Sequence, residues 1–236
     1  MISQNELPLM QLENLSFELS TSVTFCLSSQ TFKKGSGYLI TGEDDEIKTM
    51  FLKAIGGLVD PDKVGGKILF NGINLYEATG QELQRIRKRM AYIFYEGTLI
   101  SNLSIRENLL LPIQFHSPRI DLTPFLKKIE DGFQYWNLPS VLDYRPSELS
   151  HSTRKILTFI RAALIEPEIV LLDKPLFNLA GKDRIRVHPF LEQLKKNGTS
   201  LIMTSHFDAQ LEPLIDEIIN LDQFCTMASN GSQESK

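Results

Sequence analysis

The chain has 236 residues, 42% of them hydrophobic, and a net charge of -4, enough for one domain with a sizeable core and a subdomain but short of two full domains. That charge excludes a general attraction to nucleic acid or anionic lipid, and two cysteines, Cys26 and Cys225, exclude a disulfide framework or a zinc cluster. The N-terminus lacks a basic segment followed by an apolar one, and no apolar run reaches about 18 residues, so the expectation is a cytosolic chain that meets a membrane only through a partner.

Apolar runs and period-two alternation predict strands at 9–17, 23–27, 38–40, 67–70, 91–94, 169–172, 200–204 and 217–221. The early strands are closely spaced, with turn signals such as Asn71-Gly72, and the later ones alternate with helical periodicity. An antiparallel β-subdomain joined to a parallel α/β core follows from that order. A helical run is expected at 50–58. The stretch from about 96 to 165 is mostly helical, and Pro112, Pro118, Pro124, Pro139 and Pro146 predict its division into the short helices of an inserted subdomain. The single domain is expected to span 1–225, followed by a frayed polar tail at 226–236.

Between the strand ending at Thr41 and the helical run lies Gly42-Glu43-Asp44-Asp45-Glu46-Ile47-Lys48-Thr49. Its frame is that of a phosphate-binding loop, G-x-x-x-x-G-K-[ST]. There the glycines let backbone N–H groups close around phosphates, while the lysine and hydroxyl serve the outer phosphates and magnesium. Gly42, Lys48 and Thr49 keep the frame. Ile47 replaces the second glycine, and a β-branched residue does not readily take the φ > 0 conformations open to glycine. Four carboxylates fill the interior. Two unit charges ~4 Å apart at an effective dielectric of about 20 interact by ~4 kcal/mol, so several carboxylates facing a triphosphate oppose what Lys48 and a magnesium ion supply. Screening reduces the term without changing its sign.

Further motifs follow in a telling order. Leu12-Glu-Asn-Leu-Ser-Phe17, Gly66-Lys-Ile-Leu-Phe-Asn-Gly72 and Leu103-Ser-Ile-Arg-Glu-Asn108 precede Glu148-Leu149-Ser150, Arg161-Ala-Ala-Leu164 with Glu166-Pro167, Ile169-Val-Leu-Leu-Asp173 and Thr204-Ser-His206. Over nearly its whole length the chain resembles the nucleotide-binding subunit of ATP-binding cassette (ABC) transporters. Their first strand, G-x-I-x-x-x-G hairpin, post-Q-loop segment, signature helix, Walker B strand and switch histidine these segments match. The resemblance implies a P-loop NTPase fold of ABC type, a mixed and parallel sheet core with an antiparallel β-subdomain and an inserted helical subdomain. In that family Gly42, Lys48, Thr49 and Asp173 would hold ATP and magnesium, with Thr49 and Asp173 serving the metal, Ser150 would meet the nucleotide of a partner subunit, and His206 would contact the γ-phosphate.

Where the chain departs from that pattern, the chemistry is affected. Leu19 stands where an aromatic ring stacks on adenine, and Tyr95 where the Q-loop glutamine reaches magnesium and water. LSGGQ becomes Leu149-Ser150-His151-Ser152-Thr153, which places side chains where paired glycines admit a phosphate to backbone amides. Lys174 replaces the catalytic glutamate, and a protonated lysine does not accept a proton from attacking water. Ala180 replaces the D-loop aspartate. Blander readings stand beside these: Lys48 and Thr49 as remnants at a solvated helix start, Asp173 as a backbone cap or a partner of Lys48, His206 as an ordinary hydrogen-bonding residue at a strand end. The loop moved toward acid while the position after Asp173 moved from acid to base. We therefore expect Lys174 and Lys48 to neutralise part of the Glu43–Glu46 cluster, filling the phosphate site from within.

ABC subunits work as head-to-tail dimers that pair one chain's Walker motifs with the other's signature, so the resemblance implies a second ABC subunit, in a homo- or heterodimer, and a membrane permease. Docking is expected through 95–112, at the cytoplasmic face of the cell membrane. A defective half at both sites makes a homodimer hydrolytically dead and leaves a structural or regulatory role. A slow or partner-activated ATPase, and an ABC-fold interaction module without a transporter, are the alternatives. The segments 104–112 and 145–149 also look like importers and lipid-handling subfamilies, including those serving MCE-type phospholipid systems.

Overall fold

The computed structural model describes residues 8–20, 23–205 and 208–227. In chain order the strands are β1 (Met10–Ser20), β2 (Val23–Phe32), β3 (Gly37–Thr41), β4 (Val64–Phe70), β5 (Ile73–Asn74), β6 (Met90–Ile93), β7 (Ile169–Asp173), β8 (Ser200–Thr204), β9 (Glu217–Asn220) and β10 (Cys225–Met227). The helices are α1 (Asp45–Ile55), α2 (Gly80–Arg87), α3 (Ile105–His116), α4 (Thr123–Trp136), α5 (His151–Leu164) and α6 (Gly181–Lys196). One sheet is parallel, ordered β6-β7-β8-β3-β9, and the other is antiparallel, ordered β10-β2-β1-β4-β5.

The parallel strands read as unbroken apolar runs because both of their faces are covered. Leu39, Ile93, Val170, Leu172, Leu201 and Met203 point into a core shared with the helical subdomain. Their chain neighbours Tyr38, Ile40, Ile169, Leu171 and Ile202 point into a second core, between this sheet and the antiparallel one. Helix α1 is sandwiched in that second core through Ile47, Phe51, Leu52 and Ile55. A two-residue turn at Asn71-Gly72, with φ of 47° and 82°, joins β4 to β5, the left-handed pair that a tight hairpin requires. Gly66 is needed for a different reason: a Cβ there would lie 2.2 Å from the Asn14 carbonyl oxygen of the bulged β1.

Each expected strand is present, 200–204 with the same ends and the others with one or both ends shifted. Two expectations change. Pro112 sits inside α3 instead of ending a helix, while Pro118 follows the helix end, and Pro124 and Pro146 open α4 and a short 3-10 turn. Thr226 and Met227, expected in the frayed tail, pair with β2 within β10, and 228–236 lie outside the described residues.

Candidate functional site

The Gly42–Thr49 segment follows β3 at the carboxyl end of the parallel strands, where open α/β sheets bind their ligands. Its conformation differs from a glycine cradle. Helix α1 starts at Asp45, ahead of the expected Met50, because Asp44 caps it. The Asp44 carboxylate accepts from Glu46 N at 2.7 Å and Ile47 N at 3.2 Å. Asp45 and Glu46 then occupy the first turn, where a helix dipole favours negative charge. The acidic run is thus helix-starting chemistry. Ile47 adopts no left-handed conformation; its side chain is buried in the core under the antiparallel sheet.

Lys48 is fully buried. Its Nζ donates to the Gly42 carbonyl oxygen at 2.6 Å and lies 2.9 Å from Asp45 Oδ1. The other Asp45 oxygen is 2.7 Å from Lys174 Nζ, the ion pair that the charge inversion predicts. Of the four loop acids, Asp45 is the one that takes both lysines, since Asp44 is spent on the cap. The hydrogen bond from Lys174, and then that from Lys48, pull the Asp45 carboxyl down to about 2. Lys174 reaches it from a left-handed backbone, φ 44°, a conformation costing about 1 kcal/mol or more in a non-glycine residue. Two hydrogen bonds from its N–H hold that turn, to Thr204 O at 3.0 Å and Thr204 Oγ1 at 3.1 Å. The ammonium also lies 5.9 Å from the centroid of the Tyr95 ring, which in turn leans on Phe177.

Asp173 does not pair with Lys48. It is fully buried and accepts from the hydroxyls of Thr49, at 3.1 and 3.3 Å, and of Thr204, at 2.8 Å. Thr49 and Asp173 are therefore adjacent, a set of hard oxygen donors of the kind magnesium takes, though each carboxylate oxygen is already hydrogen-bonded. Around them, the Tyr92 phenol is pushed upward by burial and by Asp173.

The signature-like segment forms the start of α5. Ser150 is its N-cap, accepting from Thr153 N at 3.1 Å. Ser152 is tied to the next helix: its hydroxyl donates to Asp183 Oδ2 at 2.7 Å and accepts from Ala180 N at 3.1 Å. It thereby bridges Ala180, at the N-cap position of α6, to Asp183 in the first turn, while α6 keeps no side-chain cap. His151 is exposed beside Arg154, 2.8 Å from Nη2 to Nδ1. Tyr95 is solvent-facing and bonds to Glu96. Leu19 packs on the antiparallel-side core, where Phe17 stacks on Phe25 with centroids 4.6 Å apart. His206 lies outside the described residues.

Two participants carry no motif. Lys155, fully buried on α5, donates to Phe94 O at 2.6 Å and Asp173 O at 3.3 Å, so it joins α5 to the ends of β6 and β7. Burial pulls its amine down to about 7, against the opposing effect of Asp173. Asp222, in the 3-10 turn after β9, accepts from Glu43 N with both oxygens, at 3.0 and 3.2 Å. A separate cavity of about 850 Å³ opens between α4, α5 and α6 and shares no residue with this constellation.

The family model for ABC transporters matches residues 28–177. The intermembrane phospholipid transport system ATP-binding protein MlaF of Haemophilus influenzae is 30% identical over 200 residues, 84% of this chain and 72% of that protein. The molybdenum import ATP-binding protein ModC of Rhodospirillum rubrum is 28% identical over 209 residues, which are 87% of this chain and 55% of the longer ModC. Among solved structures, a dimeric ATP-binding cassette in a post-hydrolysis state with ADP and phosphate superposes with a TM-score of 0.74 at 23% identity, covering 90% of this chain and 94% of that one. The sheet order, the loop after β3 and the family match together place this chain in the ABC transporter family, with the fold of its ATP-binding cassettes.

Proposed function

We propose that this chain is an ATP-binding-type subunit of a membrane transport complex whose own nucleotide site is closed by internal charge pairing, and that its role there is structural or regulatory. One observation carries the reading: Lys48 is turned onto Gly42 O and Asp45, and Lys174 occupies the other side of the same carboxylate. With the first-turn amides of α1 taken by Asp44, a triphosphate entering this conformation would have to displace two carboxylates and free a buried lysine. Substitutions at Tyr95, Lys174, Ala180 and His151–Thr153 fall on the positions that would handle water and a partner's phosphate.

A permease and a second ABC subunit are the partners this reading implies; nucleic acid is not among them, since the acidic balance gives no general attraction to it. The exposed apolar side chains Tyr95, Ile100 and Tyr144 flank the proposed permease contact at 95–112. Among the described residues no helix is long and apolar enough to cross a membrane, so attachment at the cytoplasmic face goes through the permease. The name of the ModC relative favours an import system and that of MlaF a phospholipid transport system, which makes phospholipid one candidate cargo.

A slow or partner-activated ATPase is the second reading, favoured by the adjacency of Thr49 and Asp173. Calorimetric titration of the chain with Mg-ATP separates the two. No binding at millimolar nucleotide supports the closed site, and micromolar binding rejects it.

A further inference from the structure

Asp222 acts on the loop from outside any nucleotide motif. It lies in the 3-10 turn Leu221–Phe224 after β9, and the parallel register of β9 with β3, Thr41 beside Asn220, carries that turn against the first residues of the loop. Both carboxylate oxygens accept from Glu43 N. Its own N–H donates to Asn220 Oδ1 at 3.0 Å, which fixes the turn. Gly42 has φ 148°, and a Cβ there would come 2.9 Å from Asp222 Oδ1, so the close approach depends on glycine at that position. Beyond the turn the chain enters β10 on β2. The connector bearing Asp222 is therefore anchored in the parallel sheet at one end and in the antiparallel sheet at the other. Burial, then Asp222 and Asp44, push the Cys225 thiol upward.

We propose that Asp222 is a positioning residue: its carboxylate latches Gly42-Glu43 to the β9–β10 connector, so that the C-terminal segment sets the conformation of the loop. The latch rests on the closed-site reading and extends it to control. A backbone N–H beside a helix start attracts an anion, and here the chain supplies that anion itself through a charge-assisted bond. Anything that pulls the connector away, such as a partner subunit gripping the C-terminal strand, would release Glu43 and open the loop.

Asp222→Asn and Asp222→Ala in the full chain test it by hydrogen exchange. Loss of one such bond should speed exchange at 42–46 by ~tenfold or more, leave β7 and β8 unchanged, and make Cys225 alkylate faster relative to Cys26. Asparagine keeps an amide oxygen that can still accept from Glu43 N and so reports the loss of charge alone; Asp222→Leu, of similar shape and with no acceptor, answers the question if the alanine variant fails to fold. Exchange at 42–46 within about twofold of wild type in the leucine variant, or uniform acceleration through β7 and β8, would overturn the latch. Micromolar Mg-ATP binding by the wild-type chain instead overturns the closed site, and the exchange result still decides the latch.

Discussion

Lys174 Nζ and Lys48 Nζ flank a single carboxylate, 2.7 Å and 2.9 Å from the two oxygens of Asp45. The arrangement ties the turn after β7 to the first turn of α1. Lys174→Glu would replace the outer attraction by a repulsion, while the N–H bonds to Thr204 keep the turn in place. Asp45 is 45% exposed, so solvent limits the loss to about 1 kcal/mol. A thermal melt should fall by ~2–4 °C, and the difference should shrink as salt is added.

The same carboxylate predicts an acid limb. Lys174 and then Lys48 hold it down at about 2 in the folded chain, against an ordinary 3.8. A depressed carboxylate contributes stability that is present above the unfolded value and is lost as pH falls through the folded one. That contribution should therefore disappear between about pH 4 and pH 2. Urea melts across this window should show a shallower decline for Asp45→Asn than for wild type.

Lys155 gives the opposite limb. Its amine is pulled down to about 7 from 10.5, so between those values the unfolded chain holds the extra proton and stability rises with pH. A neutral amine has two donors, matched by Phe94 O and Asp173 O, whereas the ammonium adds a third in a dry site. Denaturant midpoints should climb from pH 7 to pH 9, and Lys155→Met should flatten that climb. The methionine variant removes both lysine bonds; Phe94 O keeps Gly97 N at 3.1 Å, and the loss of the donor to Asp173 O costs about 1–3 kcal/mol at every pH.

The fold was legible because its signals are local and repeated. Apolar runs marked the two-faced parallel strands, and Asn71-Gly72 marked a hairpin whose φ values no other common pair takes so readily. The two-residue β5 and three-residue β10 were too short for any periodicity, and Pro112 was misread because a helix interior tolerated it. At the site, Gly42, Lys48, Thr49, Asp173 and Lys174 were found by motif and are brought together. Lys155 and Asp222 were not found as parts of the site, since a carboxylate 179 residues from its amide partner, or a lysine 61 residues from the carbonyl it meets, leaves no local trace. The acidic loop was itself misjudged. Asp44 and Asp45-Glu46 follow the pattern of a helix N-terminus, a signal that the phosphate-loop frame obscured.

Because the loop became a helix start, putting one glycine back should fail. Ile47→Gly removes a side chain that is 6% exposed in the core against the antiparallel sheet. Deleting a buried aliphatic group of this size costs about 2–5 kcal/mol, and glycine in the first turn of a helix adds about 0.5–1 kcal/mol. Nothing is gained in exchange, since Asp44 still holds the amides and Asp45 still holds both lysines. The variant should melt lower by ~5 °C or more for a chain of this length, with no rise in Mg-ATP affinity by calorimetry. Combining it with Asp44→Ser and Asp45→Gly removes the internal anions as well. Because these residues share contacts, their effects should be non-additive: affinity should rise in the triple variant by more than the sum of the single changes. An equal rise in Ile47→Gly alone would mean that backbone shape, and not internal charge, keeps the loop closed.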